Sequence, residues 1–267
     1  MTVGISSIKN EAKNALKGKW VSSIIASLVF LFSILIIINI GWALSLVVGD
    51  IASYVIVFVL CVFLCGPLAI GLIRYFRRMY GGMDETPAAS FYYFSTKTAF
   101  LKSLKFCVLL AIRLVVFAVI YHLPAILLYI ISNPELYEFL KAPIPMWSQH
   151  LKPLTDFLTT IGTVLTAFSL SKFYLAPFLV VVDDGIDVEE ALHMSTVISK
   201  HTVMDFVFLL FSLILWIVIS VLYIPLLFTL PYFIMCYTAH SLYAVNDYNE
   251  QIKKINDDNL PSFVAGI

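Results

Sequence analysis

Residues 20–49 read WVSSIIASLVFLFSILIIINIGWALSLVVG, a stretch without a single charged side chain. A helix of about 20 apolar residues crosses the hydrocarbon core of a bilayer, which is roughly 30 Å thick. The stretch is also longer than the apolar region of a secretory signal, which has about 7–15 residues. We therefore expect a first membrane helix that stays in the membrane.

The composition of the whole chain agrees with a membrane protein. Hydrophobic residues make up 61% of its 267 residues and charged residues 13%, whereas soluble domains contain roughly 45–50% and about 25%. The 17 basic and 17 acidic residues cancel, so no excess charge favours a nucleic acid partner. These figures predict an integral membrane protein.

Apolar stretches long enough to cross the membrane predict about six transmembrane helices. They cover residues 21–47, 52–73, 106–131, 156–182, 203–223 and 226–246. The last two run together, and the intervening Pro225 is typical of a tight reversal. We therefore predict an all-α membrane protein in which residues 21–246 form a single transmembrane domain.

Basic residues predict the orientation of these helices. Thirteen lysines and arginines lie in the segments that would be cytoplasmic, and only Lys141 and Lys152 lie in segments on the other side. Because cytoplasmic loops carry an excess of Lys and Arg, both termini should be cytoplasmic. Residues 1–20 would then be a basic cytoplasmic segment, and residues 247–267 a cytoplasmic tail.

Two connections between the spans predict interfacial helices on the cytoplasmic side. Residues 84–104 interleave aromatic with basic side chains, a pattern typical of helices that lie in the membrane interface. Residues 185–200 contain Asp187 with Glu190 three positions further on, which is the spacing of a capping box at the start of a helix.

The two connections also predict an internal repeat. Sliding the sequence along itself aligns Asp84 with Asp187 and Lys97 with Lys200. If the repeat is real, both aspartates should lie at helix N-caps, where a side-chain oxygen accepts a backbone N–H. The repeat would comprise residues 64–120 and 174–223.

Short motifs occur along most of the chain. They are the run Ile8–Trp20, then Gly66-Pro67-Leu68 with Gly71, then Tyr174, Ala176, Pro177, Asp183, Ala191, Ser195 and Lys200, and last Pro231 with Ala239 and Tyr243. Together they resemble a family of uncharacterised bacterial multi-pass membrane proteins, related to the membrane domain fused to some glycerophosphodiester phosphodiesterases. The resemblance implies a bacterial plasma-membrane protein with this helical architecture, and it does not extend to the hydrolase activity.

Two basic side chains lie inside the predicted spans. Lys172 lies near mid-membrane, where a cation costs about 2.5–3.5 kcal/mol, so we expect it to face protein or a wet cavity, with Ser169 on the same helix face. Arg113 lies nearer the cytoplasmic edge and either snorkels to the interface or belongs to a buried site. A basic pocket of these residues would suit an anionic lipid head group. Alternatively, the helix leaves the membrane early and residues 174–182 lie along the interface.

A dense polar group follows the fourth predicted span and predicts contact with a cytoplasmic partner. Its candidate contact residues are Asp183, Asp187, Glu190, His193 and Lys200. The spacing of Glu190 and His193 occurs in carboxylate-bridged metal sites, but the second Glu-x-x-His that such sites need is missing, so we expect no metal. The alternative is the capped, solvated start of a helix without a binding role.

The sequence favours a non-enzymatic role without a cofactor, because the motifs of serine hydrolases, zinc proteases and nucleotide sites are missing from it. We expect a permease-like subunit or an organiser of membrane or envelope processes. Its partners would be membrane lipids and a cytoplasmic or membrane protein. The alternative is a lipid-handling protein or membrane-embedded enzyme that acts on anionic phospholipid head groups. The alternative requires Lys172 and Arg113 to share one cavity.

Overall fold

The computed structural model describes residues 4–133, 137, 139, 146–183, 185–219 and 225–258. These residues form helices and turns without a β-strand, which confirms the all-α prediction. The α-helices are α1 (Ile5–Leu16), α2 (Trp20–Val48), α3 (Asp50–Leu60), α4 (Gly66–Tyr80), α5 (Tyr92–Ser95), α6 (Lys97–Ser132), α7 (Lys152–Ser171), α8 (Ala176–Val182), α9 (Val188–Ser212), α10 (Ile214–Ile219) and α11 (Leu226–Asp258). Short 3-10 helices cover Pro87–Phe91 and Met146–Leu151.

Five helical segments of the described chain are long and apolar enough to cross a membrane. They are Trp20–Val48, Asp50–Tyr80, Lys97–Ser132, Lys152–Val182 and Val188–Ser212. The first differs from the predicted span 21–47 by one residue at each end, because Lys19 and Asp50 bound the apolar run closely. The chain therefore has the helices expected of a multi-pass membrane protein. The number of crossings and their orientation stay predictions.

The second of these segments is a continuous helix in which α3 passes into α4 through one π-helical turn, Cys61–Cys65. Pro67 follows this turn directly, and because proline lacks a backbone N–H it removes one hydrogen bond from the continuous helix. Gly66 lies against α6, since a Cβ at this position would be only 2.4 Å from the Sγ of Cys107. The small residue therefore permits close packing of α4 and α6.

The predicted interfacial helix of residues 84–104 is wrong as a single element. The 3-10 helix and the one-turn α5 occupy its first part, and the chain then becomes extended at Thr96 (φ −135°, ψ 148°). The backbone N–H of Ala99 donates to Thr96 Oγ1 (3.3 Å). Thr96 therefore acts as an N-cap, and the residues that follow it belong to α6.

The second predicted interfacial helix and the predicted span 203–223 are not separate elements. A single helix, α9, runs through their boundary, because neither Gly nor Pro interrupts the sequence there. The predicted N-cap is confirmed, since the backbone N–H of Glu189 donates to the Asp187 side chain (3.3 Å). The predicted reversal before Pro225 falls on residues 220–224, which lie outside the described residues.

The predicted repeat lacks one of its two caps. Asp84 lies outside any helix and forms a 2.6 Å ion pair with Lys19, while Thr86 precedes the 3-10 helix. The break at Thr96 also has no counterpart at the aligned residue Ser199, which lies within α9. The helix boundaries of the two segments therefore differ, while their superposition stays a prediction.

The chain divides into two compact units, of which the first is Met1–Cys107 with Phe173–Ile267 and the second is Val108–Lys172. In the second unit α6 and α7 pack closely, because a Cβ at Gly162 would lie 2.8 Å from the carbonyl oxygen of Tyr121. Whether residues 21–246 act as one transmembrane domain stays a prediction.

The N-terminal residues that were predicted to form a basic segment contain a packed helix of the first unit. Ile8, Ala12 and Leu16 recur every four residues along α1 and are at most 3% exposed. They belong to a core that also contains Phe76 of α4 and Met235 of α11. Because burial of a large apolar side chain contributes about 1.5–3 kcal/mol, this face fixes α1 to the unit.

Helix α2 and the continuous helix α3–α4 form an antiparallel pair. Gly49 (φ 84°) connects them at one end, in a backbone conformation that favours glycine. At the other end the hydroxyl of Ser23 lies 3.4 Å from the Met79 sulfur. Trp20 and Tyr80 therefore mark the same end of the α2–α4 pair.

Helix α11 lies across this end of the pair. The ring centroids of Phe228, in its first turn, and Trp20 are 6.2 Å apart. The hydroxyl of Tyr243, about 22 Å further along the helix, donates to Glu11 of α1, which also accepts a 2.7 Å hydrogen bond from Tyr80. Two distant points of α11 thus lie near the same end of the α2–α4 pair, and between them α11 packs against both α2 and α4.

Candidate functional site

The predicted lipid site lies in the second unit, and its lysine is not enclosed. Lys172 is exposed, so surrounding protein does not bury it, while its contact with a wet cavity stays a prediction. Ser169 is buried and shares a 2.9 Å hydrogen bond with the Tyr121 hydroxyl. Ser169 lies on the buried face of α7, whereas Lys172 follows the end of this helix in a turn. Arg113 is half-buried in α6, and lipid binding by these residues stays a prediction.

An ion pair fixes the start of α9. Lys105 of α6 donates to both carboxylate oxygens of Asp187 (2.9 and 3.1 Å) and lies 3.7 Å from Glu189. The hydrogen bond from the Lys105 ammonium holds the pKa of Asp187 below its usual range. The carboxylate of Asp183 accepts the backbone N–H of Gly185 (2.8 Å). Both aspartates of the predicted partner contact therefore stabilise the turn that leads into α9.

The other three predicted contact residues share an exposed face of α9. Glu190, His193 and Lys200 are exposed, whereas Ala191 and Ser195 on the opposite side are fully buried. Intervals of three and seven residues place side chains on one side of a helix. The structure therefore brings these three residues onto one surface, and partner binding there stays a prediction.

A cavity that the sequence analysis did not predict lies between α4 and residues 87–95. Its volume is about 340 Å³, and its basic lining residues are Arg74 and Arg78, one helical turn apart. The guanidinium carbon of Arg74 lies 3.6 Å from the centre of the Tyr92 ring. Arg78 forms a 2.7 Å ion pair with Glu85. The cavity therefore combines cationic donors with aromatic surface, which suits an anion that carries an apolar part.

A close backbone approach packs residues 87–95, several of which line this cavity, onto α4. A Cβ at Gly71 would lie 1.9 Å from the carbonyl oxygen of Ser90, so a larger residue would displace the segment of residues 87–95. Ser90 and Tyr93 are 0% and 1% exposed. The segment of residues 87–95 is thus packed firmly on α4.

Two signals in the sequence could have indicated this cavity. The four-residue interval between Arg74 and Arg78 places them on one helix face, and the run of aromatic residues 91–94 supplies rings that attract cations. In the sequence these two arginines contribute only to the basic asymmetry that orients the helices. The contact between Gly71 and Ser90, which joins the two signals in space, has no signature in hydropathy.

Comparison with known proteins gives no relative, because no family model, no curated protein and no solved structure matches the chain. The resemblance to bacterial multi-pass membrane proteins therefore stays a proposal.

Proposed function

We propose that the protein is a non-enzymatic integral membrane protein that presents a folded helical layer to a protein partner. The helical layer consists of α1, α9, α10 and α11, which belong to the first unit. In this role the protein is a permease-like subunit or an organiser of membrane or envelope processes. The apolar composition and the five long apolar helices support its place in a membrane.

The position of α11 is the observation that carries this proposal. A sixth crossing that began at Phe228 would place it at the opposite membrane face from Trp20, about 30 Å away, whereas their rings are 6.2 Å apart. α9 also ends near α1, because Lys9 donates to the carbonyl oxygen of Ser212 (2.8 Å). We infer that α9 and α11 stay on one side of the membrane and that four segments cross it. The four segments are α2, α3–α4, α6 and α7–α8.

The exposed face of α9 becomes more apolar along the helix, which supports its location on one side of the membrane. Its exposed charges continue to Asp205, and from Met204 onward the exposed side also carries Met204, Phe208 and Phe211, which are 58%, 56% and 64% exposed. Apolar side chains at such intervals lie on one side of a helix and enter the boundary between head groups and acyl chains. The second half of α9 would therefore lie against the membrane, and its first half in water.

The basic residues indicate which side carries the helical layer. Lys9 and Lys105, which bind the two ends of α9, belong to the large basic set that the sequence assigns to the cytoplasm. Because positive residues are retained inside, the helical layer and both termini would be cytoplasmic. The family resemblance adds the bacterial plasma membrane as the proposed location.

The proposed partner surface is the water-facing part of α9, with Glu190, His193 and Lys200. These side chains are exposed on a helix whose other face is buried and whose start is fixed by Lys105. A rigid polar surface of this kind fits a cytoplasmic or membrane protein of complementary charge. Short cytoplasmic helices of permeases that contact an ATPase are an analogy for this arrangement, at the level of architecture only.

Cysteine labelling tests the proposed topology. In a variant whose native cysteines are replaced by alanine, we expect an impermeant maleimide to label Lys152→Cys in intact cells, and Glu190→Cys only after permeabilisation. Both native side chains are exposed, so access to the reagent depends on the side of the membrane. An epitope inserted after Leu222 should also require permeabilisation. Detection of the epitope on intact cells would contradict the four-segment order. Labelling of Glu190→Cys before permeabilisation would contradict the orientation.

Photocrosslinking tests the partner surface. A photoreactive residue at Glu190 or His193 should capture the same protein, and the control at Lys17, an exposed residue of the turn after α1, should not. The reversal Lys200→Glu should remove the crosslink because it changes the charge of the surface. Equal capture from Lys17, or capture that survives this reversal, would contradict the docking role.

A further inference from the structure

Another cavity of the first unit, the α1–α11 cavity, lies between the end of α1 and the start of α11. Its lining includes Lys13 and Lys17 on one side, and Phe228 and Tyr232 on the other. Its volume is about 800 Å³, and small-molecule sites occupy roughly 300–1,000 Å³. The cavity is therefore large enough for a ligand.

Two aromatic pairs form apolar walls of the α1–α11 cavity. The ring centroids of Trp20 and Phe228 are 6.2 Å apart, and those of Trp216 and Tyr232 are 6.1 Å apart. All four residues line the cavity, and the side chains of Trp216 and Phe228 are 46% and 49% exposed. Because the removal of apolar surface from water is favourable, a hydrocarbon chain suits these walls.

Two lysines give the lining a positive charge. Lys13 and Lys17 are exposed, and their ammonium groups form no ion pair or hydrogen bond within the described part of the chain. The described lining also contains no acidic side chain, while Asn14 between the lysines adds an amide that can donate to oxygen. A cavity lined by charges of one sign attracts ligands of the opposite sign, so the lining favours an anion.

The start of α2 indicates the depth of the cavity in the membrane. Trp20, which lines the cavity, is the first residue of α2, and α2 is long and apolar enough to cross a membrane. Tryptophan is enriched at the level of the head groups, and lysine beside a span extends its ammonium group toward water. The cationic and aromatic parts of the lining therefore suit the depth at which lipid head groups meet acyl chains.

These features match a ligand with two parts, an anionic group and a hydrocarbon chain. We propose that the α1–α11 cavity binds an anionic phospholipid, whose phosphate contacts Lys13 and Lys17 and whose acyl chain lies along the aromatic walls. A free phosphate ion would use only the lysines, whereas a phospholipid uses both parts of the lining. The inference goes beyond the docking role and does not depend on it.

Lipid binding to the purified full-length chain tests the proposal. Phosphatidylglycerol is the probe, because its phosphodiester carries one negative charge that no cationic group compensates. In nanodiscs of phosphatidylcholine, added phosphatidylglycerol should raise the thermal unfolding temperature, and inorganic phosphate at the same concentration should not. An equal effect of inorganic phosphate would indicate a site for a soluble anion, and an equal effect of further phosphatidylcholine would remove the role of the lysines. Either result would overturn the proposal.

Variants locate the effect at the cavity. The double variant Lys13→Gln with Lys17→Gln should lower the affinity for phosphatidylglycerol roughly tenfold or more, as expected for the loss of hydrogen bonds from charged groups. The matched control is Lys97→Gln with Lys152→Gln, which removes the same charge from two exposed residues outside the lining. If the two double variants bind phosphatidylglycerol equally well, the cavity is not the site.

The same variants separate lipid binding from a structural role of the two lysines. Cations near the end of a helix also interact favourably with the helix dipole, and such a role would lower the unfolding temperature in phosphatidylcholine alone. We expect Lys13→Gln with Lys17→Gln to lose the response to phosphatidylglycerol instead. A lower unfolding temperature in phosphatidylcholine with an unchanged response to phosphatidylglycerol would overturn the proposal.

Crosslinking of the unmodified protein gives a test that does not depend on how the variants fold. A phosphatidylglycerol with a photoreactive group next to its phosphate should label the peptide that contains Lys13 and Lys17. Excess phosphatidylglycerol should suppress this labelling, and phosphatidylcholine should compete poorly. Labelling confined to other peptides, or equal competition by phosphatidylcholine, would overturn the proposal.

Discussion

The hydroxyl of Tyr80, at the end of α4, donates a 2.7 Å hydrogen bond to the carboxylate of Glu11 in α1. The same carboxylate accepts the hydroxyl of Tyr243 in α11. Glu11 therefore joins three helices that are far apart in the sequence, next to the core formed by Ile8 and Ala12 on the adjacent turns of α1. This connection explains how a short basic N-terminal helix becomes part of the helical layer.

The first prediction is that Glu11→Ala destabilises the protein by about 1.5–3 kcal/mol, because hydrogen bonds to a charged group contribute this much. Thermal unfolding in detergent should show the loss, and Glu190→Ala, at an exposed acidic residue, should leave stability unchanged. The double variant with Tyr80→Phe should lose less than the sum of the single losses, because the two groups interact directly. Additive losses would show that the hydrogen bond contributes nothing.

The second prediction concerns the close approach of α4 to the segment of residues 87–95. Gly71→Ala adds a Cβ 1.9 Å from the carbonyl oxygen of Ser90, so either the backbone of residues 87–95 or α4 must move. We expect a loss of about 1–3 kcal/mol, the usual range for overpacking, measured by thermal unfolding. Gly4→Ala is the control, because its Cβ would meet only the Ser6 hydroxyl at an ordinary 3.7 Å. Equal stability of the two variants would show that the approach at Gly71 is not tight.

The third prediction is a pH dependence of the ion pair at the start of α9. Lys105 lowers the pKa of Asp187, so the pair stabilises the fold above the ordinary aspartate pKa of about 3.9, and this contribution is lost as the pH falls through the lowered pKa of the folded protein. Lys105→Gln should therefore unfold at a lower temperature than the wild type at neutral pH, by a small margin because the pair is exposed. The difference should vanish in acid. A difference that persists at low pH would assign the effect of Lys105 to packing.

The sequence predicts the helices whose ends coincide with a charged residue and a turn-forming residue. Residues 21–47 were located almost correctly because Lys19 precedes the apolar run and Gly49-Asp50 follows it. Asp187 was recognised as a cap because capping depends on residues that are close in sequence. Local signals of this kind need no knowledge of the rest of the fold.

Other features depend on contacts that the sequence does not reveal. The change in hydropathy near Lys200 marks a change of surroundings along α9, but the backbone hydrogen bonds of a helix continue through such a change unless Gly or Pro interrupts them. The depth of Lys172 in its apolar segment predicts protein or a wet cavity around it, but its exposure is set by the turn after α7, which has no signature in hydropathy. The cavity at Arg74 depends on the approach of Gly71 to Ser90, which are separated by a turn and a loop.

The last prediction distinguishes the four-segment order from six crossings by a pair of crosslinks. In a variant whose native cysteines are replaced by alanine, Trp20→Cys and Phe228→Cys should be joined by a short bifunctional maleimide, because the native rings are 6.2 Å apart. Val48→Cys with Phe228→Cys should not be joined, because Val48 lies at the other end of α2, about 42 Å from Trp20. Six crossings predict the reverse, since α11 would then begin at the membrane face where α2 ends. Joining of the Val48 pair without the Trp20 pair would therefore refute the proposed position of α11, and with it the helical layer on which the docking role depends.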